Sequence, residues 1–215
     1  MFILDRTNNI GSQFIAELRD VTIQLDRMRF RRNLERIGEI LAYEISKELD
    51  YITHMVTTPL GKDPSMLAAE YPILISILRA GMPFHCGFLN YFDKADSGFI
   101  GAYRAEEGKS DQVEIEMHYM ATPNIHDKTV ILIDPMLATG SSLVRTYEAL
   151  LKNGTPAKVH IAAVIAAQAG IEKVMNNIPN ADIWVGAMDA ELNDKFYIVP
   201  GLGDAGDLAF GPKLS

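Results

Sequence analysis

The 215-residue chain is predicted to adopt an α/β fold with an open parallel sheet flanked by helices. Three continuous apolar runs of strand length support this prediction: Ile73 to Leu78, Thr129 to Ile133 and Val159 to Ala166. An apolar run without alternation is typical of a strand that is buried on both faces. Helix-like segments separate the runs, and strands that alternate with helices indicate a parallel sheet with right-handed crossovers.

The first half of the chain contains two predicted helices. Residues 27–50 are predicted to form one long helix, because apolar residues recur there every three or four positions. Its first turns are rich in arginine, which we interpret as a solvated or subunit-contact face. Residues 54–71 contain proline and glycine and are predicted to form a loop. A further helix is expected after Gly81, with Pro83 tolerable in its first turn.

The remaining elements follow in order. Residues 98–120 are predicted to form a hairpin arm, since polar and apolar residues alternate cleanly in its second strand. An amphipathic helix is predicted to begin near Leu143, followed by a short helix around 171–175 and a strand at 183–187. Residues 197–215, rich in Gly and Asp, are predicted to form an ordered loop or small hood, here called the hood segment. All these elements are assigned to a single domain, 1–215.

Composition narrows the classes of function. The net charge is 20 − 28 = −8, which argues against a general nucleic-acid binder. The single cysteine, Cys86, cannot form an internal disulfide or a cysteine metal cage, and we interpret it as a buried structural thiol. No apolar run approaches the roughly 20 residues of a membrane span, and the N-terminus lacks the apolar stretch of a signal peptide. A cytoplasmic protein is therefore expected.

The segment VILIDPMLATGSS has the features of a phosphate site. Asp134 follows a buried strand, and a loop of small residues opens the next helix. Ligands of open parallel sheets bind beyond the carboxyl ends of the strands, and helix N-termini favour phosphate. Gly140 permits close backbone approach, and hydroxyl side chains add donors. There is no Walker Gly-Lys-Ser/Thr sequence. From spacing alone, an ordinary strand–helix turn with a capping serine remains an equal alternative.

ILIDPMLATGSS resembles the phosphoribosyl pyrophosphate (PRPP) loop of type I phosphoribosyltransferases, and its Asp-Pro form is similar to that of the uracil phosphoribosyltransferases. Four further segments agree with that family in the same order: RFRRNLERIGEILAYE (29–44), ILRAG (77–81), AYRAEE (102–107) and YIVPGLGDAGDLAFG (197–211). The resemblance covers nearly the whole chain. It implies a type I phosphoribosyltransferase-like fold and an enzyme of pyrimidine salvage.

The implied reaction converts uracil and PRPP to UMP and diphosphate, and it depends on positioning and charge stabilisation rather than covalent chemistry. By resemblance, the catalytic residues are Asp204, Arg104 and Asp134. The PRPP contacts are implied at Arg79, Arg104, Asp134, Pro135, Met136, Leu137, Ala138, Thr139, Gly140, Ser141, Ser142 and Asp204. The uracil contacts are implied at Ile198, Gly203, Asp204 and Ala205.

The resemblance also implies partners. Mg²⁺ is expected to travel with PRPP, bound mainly by substrate oxygens and waters, so no protein metal site is expected. A homodimer or higher homo-oligomer is implied, with GTP as a candidate effector. We expect no nucleic-acid partner and no membrane. Two alternatives stay open: a different nucleobase specificity, and a non-catalytic regulator that senses PRPP or nucleotides.

Some residues depart from the family pattern or have ordinary explanations. Ser141 stands where the family usually has Gly, and Leu208 and Ala209 replace a commonly basic residue and a bulkier apolar one. His85 and Trp184 are expected to be packed core residues. Four acids are expected to be solvated turn residues: Asp127, Asp189, Glu191 and Asp194.

Overall fold

The structure, a computed structural model, describes the backbone of residues 1–104 and 115–213 and the side chains of those residues outside 102–118. The helices in the described residues are α1 (Ile10–Arg19), α2 (Arg27–Ser46), α3 (Gly81–Tyr91), α4 (Ser141–Leu150), α5 (Gln168–Asn177) and α6 (Ala205–Phe210). The strands there are β1 (Phe2–Ile3), β2 (Tyr51–Thr58), β3 (Gly61–Ala68), β4 (Ile73–Leu78), β5 (Ser97–Arg104), β6 (Ile115–Ala121), β7 (Thr129–Ile133), β8 (Met136–Leu137), β9 (Lys158–Ala167), β10 (Ala181–Asp189), β11 (Glu191–Leu192) and β12 (Ile198–Val199).

A mostly parallel sheet forms the centre of the fold, as predicted. Its strand order is β1-β10-β9-β7-β4-β5-β6, and β8 extends the pairing with β9. Only β5 and β6 pair antiparallel within the described part of this sheet. The chain places β5 on one side of β4 and β7 on the other, so the direction of connection reverses between β4 and β7. Ligands of open α/β sheets bind beyond the carboxyl ends of the strands at such a reversal.

Helices cover both faces of the sheet. One hydrophobic core lies between the sheet and α1, α2, α3 and α6, and a second lies between the sheet and α4 and α5. Neighbouring residues of a strand enter opposite cores: Leu74 packs in the first and Ile75 in the second. Ile131 and Leu132 divide in the same way. Because both faces are buried, these strands are apolar without alternation.

The loop prediction for residues 54–71 is wrong. The segment belongs to an antiparallel hairpin of β2 and β3, which pair from Tyr51 opposite Ala68 to Thr58 opposite Gly61. Most of its side chains are exposed on both faces, so it lacks the alternation that reveals a half-buried strand. Pro64 lies within β3, where a two-stranded ribbon has an outer edge that tolerates the missing N–H.

Other boundaries shift by a few residues. The long helix α2 ends at Ser46 rather than at residue 50. The helix predicted around 171–175 extends over all of α5. In the range predicted as a hairpin arm, β5 and β6 pair along the edge of the main sheet, and residues 105–114 lie outside the described residues. No helix among the described residues has the length and apolar character to span a membrane.

Candidate active site

The loop from 134 to 142, which the resemblance predicts to bind PRPP and which is therefore called the PRPP loop, begins at the carboxyl edge of the sheet beside the β4/β7 reversal. The backbone N–H of Asp134 donates to the carbonyl of Ala162 at 3.1 Å. The carbonyl of Pro135 accepts from the N–H groups of Val164 and Ile165 at 2.9 and 3.0 Å. Strand β9 therefore holds the first turn of the loop, which fixes the position of the Asp134 carboxylate.

The middle of the loop continues this pairing as β8. Met136 and Leu137 pair with Ile165 and Ala166 of β9. The N–H of Met136 lies 3.4 Å from Oδ1 of Asp134. Leu137 is buried in the core, so it can offer a ligand only backbone groups. The Leu137 side chain therefore anchors the loop in the core and does not itself contact a ligand.

The end of the loop opens α4. Gly140 has φ +75°, which favours glycine, and no side chain caps the helix there. The hydroxyl of Thr139 donates to Oγ of Ser141 at 3.2 Å, and the N–H of Ser141 donates to Thr139 Oγ1 at 3.3 Å. The first N–H groups of a helix and its dipole favour an anion. A cavity of about 20 Å³ is lined by Asp134, Met136, Leu137, Ala138, Thr139, Gly140, Ser142 and Leu143.

Arg79 stands at the end of the adjacent strand. It follows β4 through a cis peptide between Leu78 and Arg79. Its guanidinium donates through Nη2 to Asp207 Oδ1 at 2.7 Å and through Nη1 to the carbonyl of Gly211 at 3.3 Å. The structure therefore joins Arg79 to the hood segment, a contact that spans more than half of the chain.

Two glycines mark the points at which the three segments approach one another. A Cβ on Gly81 would lie 3.2 Å from the carbonyl oxygen of Ile133, so the turn after β4 packs against the end of β7. A Cβ on Gly206 would lie 3.2 Å from Oδ1 of Asp204 and 3.5 Å from Nη2 of Arg79. Arg79 is thus close both to the strand that carries the PRPP loop and to the acid of the hood segment.

The hood segment presents mainly backbone groups. Asp204 caps α6 by accepting from the N–H of Asp207 at 3.0 Å. Ile198 and Ala205 are only 4% and 2% exposed, so their side chains pack in the core. Gly203, with φ +92°, turns the chain between them. A cleft of about 470 Å³ borders this turn and is lined by Arg19, Val21, Gln24, Pro200, Gly201, Leu202, Gly203, Asp204, Asp207 and Leu208.

Sequence reasoning missed the pair that anchors this segment. Asp189 was expected to be a solvated turn acid, but it is buried and accepts two hydrogen bonds from Arg19 at 2.8 Å and one from the N–H of Gly201 at 3.0 Å. Arg31, on the face predicted to be solvated, donates to the carbonyl of Ala209 at 2.7 Å. The available signal for Asp189 is its place at the carboxyl end of a buried strand.

Arg104 is the last residue of β5 and pairs with Ile115 of β6. Its side chain lies outside the described part of the structure, so its place in the site stays a prediction. The binding roles of the other predicted residues also stay predictions. What the structure establishes is proximity: Arg79 approaches Asp204, and the turn that follows β4 contacts the strand before Asp134.

His85 and Trp184, which are expected to be core residues, are packed, and so is His160. His85 is 1% exposed, and its Nε2 lies 3.2 Å from Oγ of Ser97. Trp184 is buried and donates to Nδ1 of His160 at 3.1 Å. Burial lowers the pKa of each imidazole to about 4, so both are neutral at pH 7. Cys86 is half-buried rather than fully buried, and burial raises the pKa of its thiol.

The fold and the geometry of the loops define a class. An acid ends a central parallel strand, a phosphate-type loop opens the next helix, and an arginine follows the neighbouring strand at the reversal. A hypoxanthine phosphoribosyltransferase from Staphylococcus aureus shares the fold, with a TM-score of 0.50 at 16% identity over 75% of this chain and 76% of that one. The predicted type I phosphoribosyltransferase fold is confirmed.

Within that class, the chain belongs to the uracil phosphoribosyltransferase family. The family model described as uracil phosphoribosyltransferase matches residues 8–212. A protein of that name from Porphyromonas gingivalis is 49% identical over 212 residues, which cover 98% of each chain. The structure of AQ2163 protein from Aquifex aeolicus superposes with a TM-score of 0.88 at 31% identity over the whole of both chains.

Proposed function

We infer that this chain transfers the 5-phosphoribosyl group of PRPP to uracil, releasing UMP and diphosphate. The observation that supports this most is the meeting of three family segments. Arg79 approaches Asp204 across Gly206, and the turn after Arg79 packs against Ile133 at the end of β7. The ribose phosphate is proposed to lie at the PRPP loop, and the base at the hood segment that faces it across Arg79.

The chemistry requires few reactive side chains. The leaving group is a polyanion, and C1 of the ribose develops positive charge as the bond to diphosphate breaks. Fixed donors and cations that stabilise these charges lower the barrier. Asp134 is proposed to accept from ribose hydroxyls, and Thr139 to Ser142 are proposed to hold the 5′-phosphate. Arg104, by resemblance, is proposed to bind the diphosphate.

Arg79 is proposed to exchange partners on binding PRPP. Its pair with Asp207 is solvent-exposed, with side chains 41% and 35% exposed. Exposed ion pairs contribute only about 0–1 kcal/mol, because water and side-chain entropy offset their attraction. The multiply charged diphosphate can therefore draw Arg79 away from Asp207 at small cost. The exchange would link arrival of PRPP to the position of α6.

Uracil is proposed to be selected by backbone groups. The buried side chains of Ile198 and Ala205 leave their N–H and C=O groups as the available contacts, together with those of Gly203 and Asp204. Uracil presents two carbonyl acceptors and an N–H edge that such groups can match. Cytosine places an amine where uracil has a carbonyl, which would leave buried polar groups unpaired.

Mg²⁺ is proposed as the cofactor, bound chiefly through PRPP. No group of three or more His, Cys, Asp or Glu residues in the described part of the chain could hold a metal alone. The carboxylate of Asp134 suits a hard cation whose other ligands are phosphate oxygens and waters. When bound, the ion neutralises charge on the diphosphate, while the residues of the chain orient the ribose.

We also propose that the enzyme acts in the cytoplasm as a homodimer or a higher homo-oligomer. The β2–β3 hairpin exposes apolar side chains that water does not favour, among them Ile52, Met55, Leu60, Met66 and Leu67. Light scattering on the eluted protein would measure the mass. Addition of GTP to the activity assay would test it as an effector, since an unchanged rate removes it from the proposal.

The deciding experiment incubates the protein with uracil, PRPP and Mg²⁺ and separates the products by anion-exchange chromatography. UMP and diphosphate are expected in equal amounts, and chelation of Mg²⁺ should stop their formation. Parallel reactions contain hypoxanthine, guanine, adenine or cytosine in place of uracil. Turnover with one of these bases and none with uracil would replace the assignment with another nucleobase. Tight binding of PRPP without any turnover would favour a regulator.

A further inference from the structure

Lys173 lies beside the PRPP loop without an acidic partner. It is the sixth residue of α5, and its Nζ donates to Oγ of Ser141 at 2.7 Å. No carboxylate lies within 4.0 Å of this ammonium group among the described residues, whereas Arg79, which also lies beside the loops, is paired with Asp207. Its charge is therefore available to a ligand of the loop.

Close backbone packing fixes Lys173 at this position. A Cβ on Gly170 would lie 2.4 Å from the carbonyl oxygen of Ala138, so the first turn of α5 touches the PRPP loop. A Cβ on Gly140 would lie 3.4 Å from Cβ of Lys173. The Cβ of Lys173 is therefore at van der Waals distance from Gly140, the N-cap residue of α4, so the Lys173 side chain can reach the loop.

The hydrogen bonds of Ser141 determine what its hydroxyl can do. A serine hydroxyl has one hydrogen to donate and two lone pairs to accept. Oγ of Ser141 accepts from Lys173 at 2.7 Å and from Thr139 at 3.2 Å. Both lone pairs are then occupied, which leaves the hydroxyl hydrogen of Ser141 to donate to another group. Ser141 is also the first residue of α4, where an anion is favoured.

We propose that Lys173 binds the 5′-phosphate of PRPP, directly by its charge and indirectly by orienting the hydroxyl of Ser141 as a donor. The proposal rests on the proposed function, because it assigns the phosphate in this loop to the substrate. A glycine at position 141 could not accept from Lys173, so this contact depends on the serine. Lys173 and Ser141 thus act as one unit on the side of PRPP opposite the diphosphate.

The 5′-phosphate is common to PRPP, to UMP and to ribose 5-phosphate, whereas uracil lacks it. Lys173→Met keeps the length of the side chain and removes its charge. It is expected to raise the KM for PRPP and the Kd for UMP by about tenfold, with the KM for uracil and kcat within about twofold. Calorimetry with ribose 5-phosphate should show the same loss without requiring turnover.

Two further variants sharpen the test. In the Ser141→Gly background, Lys173→Met should have a smaller effect than in the unchanged protein, because part of its action passes through the hydroxyl. Lys94→Met is the matched control. Lys94 is exposed and precedes β5 at the amino edge of the sheet, opposite the loops, so this variant should bind and turn over normally. Lys173→Arg should recover most of the affinity.

The outcomes separate the two proposals. If the unchanged protein forms no UMP and binds no ribose 5-phosphate, the proposed function fails. If it is active and Lys173→Met leaves the KM for PRPP and the Kd for ribose 5-phosphate unchanged, the role of Lys173 is refuted. An equal rise in the KM for uracil would also overturn it, since a general disturbance of the site would then explain the loss.

Discussion

Gly170→Ala perturbs the PRPP loop from a residue outside it. Gly170 is the third residue of α5, and an added Cβ would lie 2.4 Å from the carbonyl oxygen of Ala138 and 2.8 Å from that of Leu137. Ordinary contacts of this type begin near 3.4 Å. Both neighbours are backbone atoms, so rotation of a side chain cannot relieve the contact. The loop and α5 must separate by about 1 Å.

The expected effects follow from this displacement. Alanine favours a helix over glycine by about 1 kcal/mol, whereas overpacking costs about 1–3 kcal/mol. The net loss of about 1 kcal/mol should lower Tm by roughly 2–4 °C. Misplacement of a binding group by about 1 Å can cost up to about 100-fold in rate. We therefore expect kcat/KM for PRPP to fall roughly 10- to 100-fold while the protein stays folded.

The assay is UMP formation at varied PRPP, with thermal unfolding measured on the same samples. Gly61→Ala is the matched control, because its Cβ would meet nothing within 4 Å in the exposed hairpin. It should leave both kcat/KM and Tm unchanged. A Gly170→Ala variant with normal kcat/KM for PRPP would refute the reasoning, because the contact between α5 and the PRPP loop would then not position the substrate.

Three further predictions concern single groups. Asp204→Ala should cut turnover strongly, and Asp204→Asn, which retains the cap on the N–H of Asp207, isolates the effect of the charge; near-normal steady-state rates for Asp204→Ala would remove this residue from the site. Arg104→Ala should raise the KM for PRPP, and an unchanged KM would place this residue away from the substrate. Burial lowers the pKa of His85 and His160 to about 4, so unfolding takes up protons below about pH 6.5. The contribution of the two neutral imidazoles to the free energy of unfolding should therefore be fully present above that pH. It should fall as the pH drops towards 4, by at most about 3 kcal/mol for each imidazole. Urea midpoints that stay level from pH 7 to 5 would contradict this.

The elements that the sequence predicted correctly are those whose burial leaves a pattern. Strand β4 was recognisable because Leu74 and Ile75 enter opposite cores, so every position of the run except Ser76 is apolar. Helix α2 was recognisable because one stripe packs on the sheet. The β2–β3 hairpin was not predicted, because its residues are not buried and therefore leave no such pattern. Its residues are exposed on both faces, so burial imposes no alternation on them.

The candidate site divides in a similar way. The phosphate-loop pattern around Asp134 can be recognised in the sequence, because the strand, the acid, the small residues and the helix follow one another directly. The contacts of Arg79 with Asp207 and of Asp189 with Arg19 join residues far apart in the chain. No sequence pattern around Lys173 points to the loop, since its proposed role depends on a hydrogen bond to Ser141, which lies 32 residues away in the chain.

The sequence by itself determined the class of fold and the family, because local periodicity encodes burial and the contiguous motifs carry the family resemblance. The tertiary structure decided which charges meet. The order of strands places the ends of β4 and β7 side by side, and close approaches at Gly81 and Gly170 bring separate segments into contact. Side-chain partners at such meeting points depend on distances across the fold, and no spacing along the chain specifies those distances.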